Sequence, residues 1–178
     1  MRNYWNCNET DYLNELSKLS GGKKGKGKSG MLMWKSKNKM FIIKTIKKYA
    51  FSFFYSKFLP KYYQYMKLNK QSLLSKFYGI YYINKEYVIV MNNVFYNAPN
   101  NMWTYDIKGS HRHRLEEGKL TQDKILKDNN IGNMTIYTYD RKLINQIKKD
   151  SLFLKDLDTM DYSLIIGISN SKKNIKNT

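Results

Sequence analysis

The chain is poor in cysteine, in proline and, over a long stretch, in acid. One cysteine, Cys7, among 178 residues excludes an internal disulfide and a cysteine-based zinc cluster, and it points to a reducing setting. Hydrophobic residues at 42% and aromatics at 15% exclude long disorder, because chains that stay unfolded lack the aromatic and β-branched residues that build a core. No apolar run approaches the ~18–20 residues needed to cross a bilayer; the longest are near Tyr87–Met91 and Leu164–Ile168. The opening MRNYWNCNET lacks the apolar stretch of a secretory signal. The expectation is one intracellular domain, or part of a larger one, that does not span a membrane.

The scarcest feature is negative charge. From Leu16 to Lys85 there are 17 basic residues and no acidic one, so this stretch carries nearly all of the net +18. A field of one sign attracts nucleic acid, an anionic membrane leaflet or nucleotide phosphates. Part of the excess is compositional: lysine supplies 28 of the 32 basic residues and asparagine occurs 19 times, so many lysines read as solvated surface.

Periodicity predicts a short helix over Asp11–Leu19 with Leu13, Leu16 and Leu19 on one face. Gly21–Gly30, GGKKGKGKSG, reads as a loop that cannot form a regular element. Met31–Ser36 and Met40–Ile46 read as a hairpin turning at Lys37-Asn38-Lys39. Lys47–Leu68 reads as a helix, with Tyr49, Phe53, Phe54, Phe58 and Leu59 on one side and a kink or break at Pro60. Tyr78–Ile83 and Tyr87–Val94 read as a second hairpin turning at Asn84-Lys85-Glu86. Tyr96–Trp103 is a polar connector and Leu115–Asn133 a loop-rich insertion. Asp140–Asp156 is helical, with Leu143, Ile147 and Leu154 spaced together, and Leu164–Ile168 is strand-like.

Three constellations could carry chemistry. In the first, Gly27-Lys28-Ser29-Gly30 offers main-chain donors and positive charge to a phosphate, although a flexible basic linker has the same composition. It is no Walker A, since it opens strands rather than a helix. Across the hairpin, Lys44 in Phe41-Ile42-Ile43-Lys44 could hold the α and β phosphates of a nucleotide, or could simply be the outward residue of an alternating strand. The second is Tyr105-Asp106-Ile107-Lys108-Gly109-Ser110. The third is Met160-Asp161-Tyr162-Ser163-Leu164, whose aspartate stands before a strand-like run and could accept a hydroxyl proton.

With these residues the chain resembles the phosphatidylinositol phosphate kinases of the phosphatidylinositol-4-phosphate 5-kinase kind. The resemblance rests on the glycine loop with GKSG, on FIIKT, on Gln71–Gly79, on Met91-Asn92-Asn93-Val94-Phe95, on the DxKGS box and on MDYSL, in that order from Leu19 to Ile168. It implies an α+β, protein-kinase-like fold of two lobes, with an antiparallel small-lobe sheet and helix. Residues 1–18 would be an N-terminal extension, 19–168 a partial catalytic domain and 169–178 a polar tail or the start of an insertion. It further implies ATP as phosphoryl donor, Mg2+ as its counter-charge, and a phosphatidylinositol phosphate in an anionic membrane surface as acceptor, reached peripherally from the cytosolic side. Gly27, Lys28, Ser29 and Gly30 would cover the phosphates and Lys44 would bind them. Met91, Asn92, Asn93 and Val94 would form the adenine hinge, Asp106 and Lys108 would line the cleft, and Asp161 would be the catalytic aspartate.

The sequence departs from that pattern in three places. The family carries a further, magnesium-binding aspartate downstream of MDYSL, and Tyr162–Thr178 contains no Asp or Glu. The expectation is therefore a C-terminally truncated domain whose large lobe is incomplete for catalysis. Lys47–Lys70 holds no acidic residue to pair with Lys44. His111-Arg112-His113-Arg114 could ligate a metal, but without a nearby cysteine or carboxylate pattern it reads better as a phosphate-contacting basic loop. A nonenzymatic phosphoinositide-binding or anionic-membrane-binding module with the same fold is the alternative. A nucleic-acid binder is disfavoured by the lack of its motifs.

Overall fold

A computed structural model describes residues 1–24, 30–99, 102–107, 141–159 and 162–169. They form two compact units, Met1–Tyr96 and Asn97–Thr178.

The first unit is built on a five-stranded antiparallel sheet, spatial order β1-β2-β3-β5-β4, from β1 (Ser20–Lys24), β2 (Leu32–Lys35), β3 (Phe41–Ile46), β4 (Phe77–Ile83) and β5 (Glu86–Asn92). Both expected hairpins are present. The turn between β4 and β5 has Asn84 and Lys85 at φ 50° and 66°, the positive pair that a tight two-residue hairpin requires. The expected loop at Gly21–Gly30 is corrected at its start, since Ser20–Lys24 pairs with β2. Strand pairing uses only main-chain groups, so side-chain-poor residues can join an edge. The register slips between Gly21 and Lys23, a bulge where Gly21 and Gly22 have φ of 116° and 74°, and where a Cβ on Gly22 would lie 2.8 Å from Trp34 Nε1. Only glycine fits there without strain.

Alternation along β3 divides the sheet into two faces. Phe41 and Ile43 point to one face and are buried with Tyr12 and Val90. That face is covered by helix α1 (Glu9–Leu16), whose Tyr12 ring meets Phe41 edge-on at 5.5 Å and whose hydroxyl bonds to that of Tyr81 at 2.9 Å. The buried residues of α1 are Tyr12 and Glu15; of the three expected leucines Leu16 packs half-buried against this core, while Leu13 is 58% and Leu19 44% exposed.

Ile42, Lys44 and Ile46 occupy the other face, beneath α2 (Lys48–Phe53), a π-turn (Phe54–Phe58) and α3 (Leu59–Leu68). The inward residues there are Phe54, Phe58, Tyr62 and Met66, and Phe54, Phe58 and Tyr62 all meet the ring of Phe77 at 4.7, 5.9 and 5.2 Å. A strict spacing of four outruns the 3.6-residue turn of an α-helix, and the wider π-turn absorbs the excess. Of the kink or break expected at Pro60, the break is absent: the π-turn lies just before Pro60 and the helix runs on into α3. Tyr49, expected inward, is 73% exposed.

Glu15 locks α1 to the β2–β3 turn. Its carboxylate accepts from the Ser36 hydroxyl (2.6 Å), the Asn38 main chain (3.1 Å) and the Asn38 amide (2.7 Å). Burial alone would raise its pKa; these hydrogen bonds, with the nearby Lys37 charge, outweigh that and hold it below the ordinary 4.5. A depressed folded-state pKa gives stability that is present above about 4.5 and lost as pH falls through the folded value. Glu15→Ala strands the donors of Ser36 and Asn38 and is expected to cost ~3 kcal/mol at neutral pH. Glu15→Gln should flatten the loss of stability in acid. Denaturant midpoints measured between pH 3 and 7 check both.

In the second unit, β6 (Met102–Ile107) pairs antiparallel with β7 (Leu164–Ser169), so the expected connector ends sooner than the sequence suggested. Helix α4 spans Arg141–Asp156. It buries Gln146 and Asp150, with Ile147 and Leu154 of the expected face half-buried and Leu143 36% exposed. The Gln146 amide donates to Asp150 at 2.9 Å, which satisfies part of the polar pair and makes its burial tolerable. The insertion expected at 115–133 lies outside the described residues.

Candidate functional site

Lys44 sits in the middle of the sheet. Its cross-strand neighbours are Met33 on β2 and Ile89 on β5, and Ile89 in turn faces Ile80 on β4. Directly opposed residues in a ladder share a face, so one ammonium rises from a row of apolar side chains. Ile89 is buried and Lys44 half-buried, which lowers the local dielectric around the charge. Among the described residues Lys44 makes no ion pair, and α2–α3 above it offers no carboxylate.

Met91 lies opposite Ile42, two residues from Lys44 on the same face and so ~7 Å along the strand. Beyond it the chain is pinned. The Asn93 N–H donates to the Met40 carbonyl and its amide to that of Lys39, both at 2.8 Å, while its Oδ1 accepts from the Phe95 N–H at 3.1 Å. Asn92 is tied to Lys76 twice, through its own N–H (2.9 Å) and through Oδ1 (2.8 Å). Both asparagine side chains thus hold the chain in place. Val94 follows, 47% exposed.

The glycine turn leaves β1 at Lys24 and enters β2 at Leu32, next to the strand that carries Lys44. Gly30 is left-handed at φ 65° with no atom within 4 Å of where a Cβ would lie. Gly27, Lys28 and Ser29 are outside the described residues. In the second unit the register sets Ile107 opposite Leu164 and Asp106 opposite Ile165 on the main chain. The end of β6 and the start of β7 therefore meet, and from these ends the DxKGS and MDYSL motifs continue. Lys108 and Asp161 themselves are outside the described residues. Among those residues no three His, Cys, Asp or Glu side chains gather as a cation site.

The structure thus sets Lys44 and Met91 on one face of the first unit's sheet, with Asn92 to Val94 following at the Met40 end of β3. Sequence reasoning missed Glu15 and the structural use of Asn92 and Asn93. A lone acid in a short helix gives no signal, because its donors arrive from a turn more than twenty residues away.

An antiparallel five-stranded sheet with a helix over the face that carries its central lysine is a kinase-like small lobe of α+β class. The family model described as Phosphatidylinositol-4-phosphate 5-Kinase matches residues 12–178, and the chain belongs to that family. It is 38% identical over 173 residues to the phosphatidylinositol 4-phosphate 5-kinase of Plasmodium falciparum, covering 88% of this chain and 10% of that protein. Against the 1-phosphatidylinositol 3-phosphate 5-kinase FAB1 of Saccharomyces cerevisiae it is 32% identical over 191 residues, 95% of this chain and 8% of the other. A phosphatidylinositol 4-phosphate 5-kinase type-1 beta from Gallus gallus is 32% identical over 162 residues, 84% and 30% respectively. The chain therefore spans between 8% and 30% of the length of these relatives.

Proposed function

We propose that this chain is part of a lipid kinase that transfers the γ-phosphoryl group of ATP to an inositol-ring hydroxyl of a phosphatidylinositol phosphate, of 5-kinase type. The observation that carries the reading is Lys44: a cation with no protein counter-charge among the described residues, raised from an apolar face beside a glycine turn. Such a group gains most when a phosphate arrives.

In this reading Lys44 holds the α and β phosphates while the turn from Gly27 to Gly30 covers them with main-chain donors and the charge of Lys28. Asn92 and Asn93 fix the hinge, leaving adenine to stack near Met91 and bond to the main chain around Val94. Asp106 and Lys108 line the cleft, and Asp161 accepts the proton of the attacking hydroxyl. Magnesium, when bound, would offset charge on the transferring group. The names of the relatives carry both the 4-phosphate and the 3-phosphate of the inositol ring, so the acceptor class is proposed as a monophosphorylated phosphatidylinositol. The basic surface of the first unit suits a peripheral position on an anionic leaflet, and no helix among the described residues is long and apolar enough to cross a membrane.

The test is a chimera in which residues 12–178 replace the matching segment of the Plasmodium falciparum kinase. Lipid phosphorylation within about tenfold of the parent is expected, since a compatible small lobe restores the phosphate site. A chimera that folds, binds no ATP and transfers no phosphate contradicts the proposal.

A further inference from the structure

The sheet of the first unit ends on β4, beyond which no further described strand lies. Ile83 and Glu86 close the two-residue turn between β4 and β5, and the closing pair of such a turn is hydrogen-bonded. Pairs alternate along an antiparallel ladder, so Tyr81 commits its main chain to β5 while the N–H and C=O groups of Ile80 and Tyr82 point outward. Two sets of donor and acceptor therefore lie ~7 Å apart along this edge. Among the described residues nothing bonds to them.

The same edge is closed at its other end. The Trp5 indole donates to the Phe77 carbonyl at 3.2 Å and Arg2 Nη1 to that of Tyr78 at 3.0 Å, and the pairing slips between Phe77 and Gly79. Covering groups and bulges are how proteins blunt a free edge. From Ile80 to Ile83 these devices stop. The strand reads FYGIYYI, without proline or charge, and Tyr82 and Ile83 are 60% and 52% exposed. An uncharged open edge is a template for another extended chain.

Where the closed part meets the open part there is a cavity of about 250 Å³, walled by Arg2, Phe54, Leu59, Phe77 and Ile80 among others. The Arg2 charge is already met by Glu9, through Nε at 2.7 Å and Nη2 at 3.0 Å, so the cavity suits an apolar group. A residue paired with Ile80 projects its side chain to the face that Ile80 occupies, which is the face of Phe54 and Leu59. The exposed lysines Lys57 and Lys61 stand on the helical run that carries those two residues, and Lys85 on the turn that ends the edge. No acidic residue occurs between Leu16 and Lys85. We propose that this edge binds a partner protein through an extended acidic segment, which adds an antiparallel strand beside β4 and seats one aromatic side chain in the cavity opposite Ile80. The open main-chain groups decide for a polypeptide, because neither a bilayer nor a nucleic acid offers a strand to pair with them, and the lysines select its charge. The inference stands apart from the phosphate site and does not rest on the kinase reading.

The probe is a fluorescein-labelled peptide, EDVEFEVED, titrated with the 178-residue chain and read by fluorescence anisotropy. Saturable binding is expected. Replacing the peptide's phenylalanine by serine should weaken it at least ~10-fold through loss of the buried ring. N-methylation of the phenylalanine amide, which faces β4, should weaken it about tenfold. The same methyl on the following glutamate, whose amide faces away, should leave it nearly unchanged. A peptide with lysine at every acidic position should not bind. In the chain, Tyr82→Pro removes an outward donor at a position where an edge strand tolerates proline, and should weaken binding about tenfold with circular dichroism matching the parent's.

Absence of saturable binding overturns the proposal. So does equal binding by the two methylated peptides, which is adhesion without strand pairing, or undiminished binding by a folded Tyr82→Pro variant. If the chain self-associates in sedimentation velocity, loses that association on Tyr82→Pro and binds no peptide, the edge belongs to a second copy and the partner proposal falls. None of these results bears on Lys44 or the chimera, so the kinase reading stands or falls by its own test.

Discussion

Asp161→Asn in the chimera is expected to lower kcat by ~10²–10⁴ and to leave the KM for ATP nearly unchanged. Asparagine keeps the size of the side chain but cannot take a proton, so the loss falls on the step in which the inositol hydroxyl attacks. A fall in kcat at constant KM is the signature of an interaction made in the transition state. Steady-state kinetics at saturating lipid measure it. A variant with the parent's kcat would remove Asp161 from the chemistry.

Lys44→Met is expected to reduce kcat/KM for ATP by ~10²–10³. Methionine preserves much of the apolar stem, and the neighbours of Lys44 are Met33 and Ile89, so the face accepts the change. Lys44 has no ion pair among the described residues, and its removal strands no protein carboxylate there. Thermal stability should therefore stay close to the parent's while nucleotide binding fails. A parallel drop in both would instead make Lys44 a structural residue. The contrast with Glu15 is instructive, because that carboxylate is spent on three internal hydrogen bonds and its loss should appear in stability first.

Much of the first unit could be read from local pattern. The alternation in Phe41–Ile46 put Lys44 on the face opposite Phe41 and Ile43, and two polar turns closed two hairpins. What could not be read depended on partners far away in sequence. The strand Ser20–Lys24 offers no apolar pattern and is held by main-chain pairing to β2. The inward face of α1 follows Tyr12 and Glu15 because Tyr81 and the turn at Ser36–Asn38 supply their partners. The long helix had the right extent, but its inward residues run Phe54, Phe58, Tyr62 and Met66 because a π-turn resets the phase. Of the proposed site, Lys44 and Met91–Val94 stood out in the sequence as motifs. That Asn92 and Asn93 spend their side chains on Lys76, Lys39 and Phe95 was not legible, since those contacts join three separate strand ends.

The most direct measurement uses an ATP analogue whose terminal acyl phosphate transfers its acyl group to the nearest lysine, followed by peptide mapping of the chimera. The account predicts that, of the 28 lysines in this chain, Lys44 is labelled foremost and that excess ATP protects it. Labelling spread over surface lysines, with Lys44 unmodified and no protection by ATP, would contradict it.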